Sequence, residues 1–118
     1  MANEQNVTGY YSGDDLELVV TIQDENGAGL DITSATVTWV LKRNINSTAL
    51  VTKTVGSGIV LTTPASGIIT ISIDPADTAA VFSAEGKPFY HEIELTDVSG
   101  NVTTVLFGTF EVKKDGIE

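Results

Sequence analysis

The feature of this sequence that most restricts its fold is the return of apolar side chains at every second residue. In Leu16–Gln23, Leu16, Leu18, Val20 and Ile22 share one parity, while Glu17, Thr21 and Gln23 share the other with Val19. A spacing of two puts the apolar set on one face of a strand, whereas an amphipathic helix needs returns at three and four residues. The pattern recurs in Ala35–Arg43, where Ala35, Val37, Trp39 and Leu41 oppose Thr36, Thr38, Val40 and Lys42. It recurs again in Phe89–Thr96, with His91, Ile93 and Leu95 against Tyr90, Glu92 and Glu94. Between these segments lie residues that favour reversals: Asp24-Glu25-Asn26-Gly27, Gly56-Ser57-Gly58, Pro64-Ala65-Ser66 and Asp97-Val98-Ser99-Gly100-Asn101.

The remaining segments fit the same scheme. Ala49–Val55 reads as a weaker strand at a sheet edge, guarded by Lys53. Ile59–Thr63 and Gly67–Ile73 are short strands, and Val102–Lys113 is the last and longest. Only Asp74–Phe82 differs: Asp74 can cap a helix, Pro75 suits the first helical position, and the alanines that follow allow one or two turns. The 16 threonines, mostly within strand segments, agree with high β propensity.

A chain of 118 residues makes one domain. The expected class is all-β, and the length favours a two-sheet antiparallel sandwich of seven or eight strands, with one short helical turn, over a closed barrel. The predicted core is Leu18, Val20, Ile22, Val37, Trp39, Leu41, Ile71, Ile93, Leu95, Phe110 and Val112, with the single tryptophan at its centre. Three parts follow: an N-terminal arm over 1–13, the sandwich over 14–113, and a C-terminal tail over 114–118.

Charge narrows the partners. Six basic residues face 16 acidic ones, a formal net charge of −10 that repels nucleic-acid phosphates and anionic headgroups. No nucleic acid and no membrane is expected as a partner, since no apolar run of spanning length occurs either. The start, Met-Ala-Asn-Glu-Gln-Asn, has neither the basic nor the apolar region of a secretory signal, so synthesis in the cytoplasm is expected.

Catalytic chemistry finds little to build on. There is no cysteine and one histidine, and His91 lies in register with Ile93 and Leu95, where a buried, hydrogen-bonded ring is the expected state. The acidic clusters Asp14-Asp15, Asp24-Glu25 and Asp74…Asp77 stand at turns or a helix start, where aspartate has a structural use. Asp24, Asn26 and Asp97 are the best candidates for a calcium site, although they do not follow the twelve-residue loop pattern. No catalytic residue, metal or cofactor is expected.

A longer pattern carries a resemblance. It runs from Ser12-Gly13-Asp14-Asp15-Leu16 through Gln23-Asp24-Glu25-Asn26-Gly27 to Leu30-Asp31-Ile32-Thr33-Ser34-Ala35-Thr36-Val37. It resumes at Gly67–Thr78, with Ile71-Ser72-Ile73-Asp74-Pro75-Ala76-Asp77, and closes with Tyr90–Gly100 and Thr103–Val112. Over residues 12–113 the chain resembles the immunoglobulin-like β-sandwich modules of tailed-phage virion proteins, chiefly the N-terminal domain of baseplate upper proteins and their small stand-alone relatives. The resemblance implies a non-enzymatic structural component of a bacteriophage virion, in the tail, baseplate, neck or capsid decoration. It would be multimeric within an assembly and held by contacts with other phage structural proteins. The chain stops after the sandwich, which favours a connector or decoration role over receptor binding.

A carbohydrate- or host-surface-binding module is the alternative. Such modules display aromatic side chains, and Tyr10, Tyr11, Phe82, Phe89 and Tyr90 fall outside the strand interiors or on the outward register. For the structural role, the arm supplies the partner-binding candidates Val7, Tyr10 and Tyr11, because tyrosine buries area at interfaces with little entropy loss.

Overall fold

A computed structural model describes residues 3–11, 13–78 and 88–113. The protein is all-β. In chain order its elements are β1 (Asn3–Glu4), β2 (Val7–Tyr11), β3 (Leu16–Thr21), β4 (Thr36–Lys42), β5 (Ala49–Val55) and β6 (Gly58–Thr63). A 3₁₀ turn (Pro64–Ser66), β7 (Ile68–Ile73), a single helical turn α1 (Pro75–Thr78), β8 (Phe89–Thr96) and β9 (Val102–Lys113) follow. The rest of the expected helical segment and the expected tail, 79–82 and 114–118, lie outside the described residues.

The strands do not form two separate sheets. They join one mixed sheet in the order β1-β9-β8-β4-β5-β6-β7-β3, with β2 also on β9. The expected sandwich is replaced by a barrel-like sheet, and the corner between β5 and β6 is the reason. There Thr54 pairs with Gly58 and Val55 with Ile59, in parallel. Gly56 and Gly58, at φ of 86° and 102°, let the chain make a tight loop and resume its original direction beside itself, so that pairing continues. Hydrogen bonding therefore continues around a bend that would otherwise separate two sheets. The expectation of β5 as a guarded edge fails at its end for the same reason, since Thr54 and Val55 pair with β6 as well, and Lys53 is drawn to Asp77. The sheet then curls until its ends face each other. Glu4 of β1, Gln5 just after it, and Val19 and Thr21 of β3 line one cleft of about 350 Å³.

The interior is built as parity demands. Trp39, Val37 and Leu41 of β4 face Ile93, Leu95 and His91 of β8, and all six are buried. The other predicted core residues are buried too, apart from Leu18, which is half-buried against the cluster. Two irregularities add to the core. The β8–β9 register shifts between Ile93↔Leu106 and Glu94↔Thr104, so Val105 is an extra residue, and both Val105 and Leu106 point inward. Phe89, expected on the surface, is buried at the start of β8.

The largest departure lies at the N-terminus. The segment expected to stand apart from the sheet belongs to it: β1 pairs in parallel with β9 at Leu106 and Phe107, and β2 pairs with β9 from Phe110 to Lys113. Unmet backbone donors and acceptors on β9 explain this, because a twelve-residue strand longer than its neighbour β8 offers an edge that the preceding chain can satisfy.

Candidate functional site

The most constrained polar cluster sits in the core. Trp39 Nε1–H donates to His91 Nδ1 at 3.0 Å, which makes Nδ1 the acceptor nitrogen. Nε2 therefore carries the hydrogen and donates to the Gln5 backbone oxygen at 2.7 Å. Burial holds the imidazole below its ordinary pKa of 6.5, against the opposing pull of the Gln5 carbonyl. Both ring nitrogens are spent, and Phe110 and Trp39 meet the ring edge-on at 5.4 and 6.3 Å between centroids. A neutral imidazole with no free nitrogen is a structural tie, not a general base.

The carbonyl that reaches His91 passes over Gly108. His91 and Gly108 are opposite each other in the β8–β9 register, and a Cβ at Gly108 would fall on the Gln5 oxygen. Thr109 N–H donates to Asn6 Oδ1 at 2.9 Å and Gln5 N–H to the Phe107 oxygen at 2.8 Å, which fixes the crossing between β1 and β2.

The three arm residues proposed for a partner are divided by this arrangement. Tyr10 is buried, its ring edge-on to Phe110 at 5.7 Å. Its hydroxyl donates to the Asp14 oxygen and shares a hydrogen bond with Thr78 Oγ1, both at 2.6 Å. Burial raises its pKa, with the hydrogen bond to Thr78 acting the other way. Val7 is half-buried against the core. Tyr11 alone of the three is exposed, with the Lys113 ammonium 5.7 Å from its ring centroid. Tyr10 and Phe89 are thus unavailable to a sugar as well, and Phe82 lies outside the described residues.

Two of the calcium candidates share a cleft, but each serves its own turn. Asp24 and Asp97 line one end of the barrel, in a cleft of about 480 Å³ with Glu25 and Asp31 on its rim and Leu30, Leu95 and Val105 beneath. Each aspartate is engaged in its own turn. Asp24 Oδ1 accepts from the Asn26 and Ala28 amides at 2.8 and 3.1 Å, and Asp97 Oδ1 from those of Ser99 and Asn101 at 2.9 and 3.0 Å. The Asn101 bond, with the Ser99 and Gly100 amides, holds the Asp97 carboxyl below its usual range. Among the described residues no group of three histidines or carboxylates is placed to hold a metal ion.

Asp77 has a comparable use. Burial raises its pKa, but the Lys53 ammonium at 2.7 Å and the Asp74 amide at 2.8 Å outweigh that and hold it down. This pair pins α1 to β5.

What the interior does not use is displayed outside. Val19 on β3 and Val60 on β6 are 62% and 61% exposed, and both pair with Thr70 of β7, forming one outward row across three strands. By the parity of β3, Val19 falls among the polar side chains Glu17 and Thr21. Its proximity to Val60 depends on the register of β7, which no local pattern reveals.

No protein-family model matches the chain, and no curated protein matches it significantly.

Proposed function

We propose that this chain is a non-enzymatic structural module of a tailed-phage particle, acting through protein–protein contacts in the tail, baseplate, neck or head decoration. The observation that carries this reading is the division of labour among side chains. The groups that could do chemistry are committed internally: His91 to Trp39 and Gln5, Asp24 and Asp97 to their turns, Asp77 to Lys53. The outward row of Val19 and Val60 is left for contact with another surface. The resemblance over residues 12–113 supports the same reading and supplies the phage context.

The test is incorporation. Particles purified through a density gradient are analysed by quantitative mass spectrometry, and a tagged copy of the chain is located on them by electron microscopy. A fixed number of copies per particle, at one structural position, is the expected result. A chain that stays with the soluble lysate while intact particles form without it would refute the assignment.

A further inference from the structure

The free edge of β3 is the surface best equipped to take a partner. Among the described residues, β3 pairs only with β7 and ends the sheet path. The Ile22 amide donates to the Gly67 oxygen at 2.8 Å, continuing the β3–β7 register. In an antiparallel pair, hydrogen-bonded residues alternate with residues whose N–H and C=O point away. Leu16, Leu18 and Val20 thus bond to β7, and Glu17, Val19 and Thr21 turn their backbone groups to the open edge. Apart from the charge of Glu17, the edge lacks the usual protection: it has no proline, no lysine and no bulge, and Val19 stands exposed at its middle.

Charge selects the occupant. Among the described residues, the cleft along this edge carries Glu4, and the cleft where β3 begins beside the end of β7 carries Asp15, Glu17 and Asp74, with no lysine or arginine in either. A second copy would bring the same carboxylates and its own net charge of −10. We propose that β3 receives an extended segment of a different protein by strand addition, and that this segment is basic. Lysine or arginine lies on its outer face, within reach of Glu17 and Glu4, and apolar residues lie on its inner face beside Leu18 and Val20. Main-chain bonds supply the affinity and the alternating side chains supply the selectivity. This inference rests on the reading of the chain as a contact module and adds the partner's chemistry.

Amide hydrogen exchange on the isolated protein tests it, with a capped eight-residue peptide of alternating lysine and valine as the probe. The amides of Glu17, Val19 and Thr21 should exchange rapidly in the free protein and slow by about tenfold or more when the peptide is added. A peptide of the same sequence with alternate backbone amides methylated keeps the charge but cannot pair, and should give no slowing. Val19→Lys and, separately, Val19→Pro should abolish the effect, the proline removing only an N–H that faces the open edge. Slow exchange already present in dilute free protein would overturn the proposal, as would protection that rises with the protein's own concentration. So would equal slowing by the methylated peptide, or none by the parent. Because particles are not involved, failure here leaves incorporation open, and failure of incorporation leaves the exchange result intact.

Discussion

At the scale of single residues, Gly108 and His91 tie the N-terminal segment to the rest of the molecule. Gly108 is needed for space, since its hydrogen leaves room for the Gln5 carbonyl. Gly108→Ala should destabilise by about 1–3 kcal/mol, the usual cost of forcing an extra methyl into a packed position. Urea unfolding checks the loss, and in a chain lacking residues 1–11 the same substitution should cost almost nothing. Trp39→Phe keeps a ring in the core but removes the donor to His91 Nδ1, and should cost about 1–3 kcal/mol for the acceptor left unmet.

His91 also gives stability a pH dependence. Its folded pKa lies below 6.5, so between the two values the unfolded chain binds more protons than the folded one. The contribution of the neutral ring is complete above pH 6.5 and declines as pH falls from there through the folded value. Asp31, Asp77 and Asp97, depressed from 3.8, add a second loss only below that value. Melting temperature should therefore begin to fall below pH 6.5, well before the carboxylates titrate. In His91→Gln this first decline should be absent. A wild-type melting temperature that is flat between pH 7 and 5 would contradict the tie.

At the scale of elements, the N-terminal strands are the least expected part of the fold. A polar stretch such as Asn3–Asn6 has no apolar alternation by which to recognise a strand. Its pairing is dictated by the edge of β9 and by two inserted groups, the Gln5 carbonyl and the Tyr10 ring. Deleting residues 1–11 should cost at least about 3 kcal/mol, comparable to removing a buried aromatic. The melting temperature should accordingly drop by about 10 °C or more. A truncated chain that melts like the parent would show that the segment is a detachable arm after all. Tyr10→Phe separates the ring from its hydroxyl, and loss of the bonds to Asp14 and Thr78 should cost about 1–2 kcal/mol.

At the scale of the whole molecule, the excess of negative charge governs how the protein responds to its solvent. Four of the six basic residues lie among the described residues, and two of them, Lys42 and Lys53, are spent on Glu92 and Asp77. The remaining acidic surface repels itself. Raising sodium chloride from ~10 to ~200 mM should raise the melting temperature by a few degrees as the screening length shortens. Calcium chloride at matched ionic strength should do no more, since the carboxylates at the barrel end are engaged in separate turns. An additional rise specific to calcium would reopen the cleft lined by Asp24 and Asp97.

Local pattern alone determined the strands from β3 onward and most of what they bury. The parity of Leu18, Val20 and Ile22, or of Val37, Trp39 and Leu41, depends on side chains within one strand, and the solvent supplies the same force wherever that strand lies. Turn positions were legible for a similar reason, since Asp24 and Asp97 cap their own reversals within four residues. Tertiary structure alone decided the rest. The bulge at Val105, the bend that turns a sandwich into a barrel-like sheet, and the docking of residues 3–11 on β9 all answer to backbone groups distant in sequence. So does the open edge of β3, because a strand's interior face is written in its own side chains, whereas its neighbours are chosen by hydrogen-bonding groups that every residue carries alike.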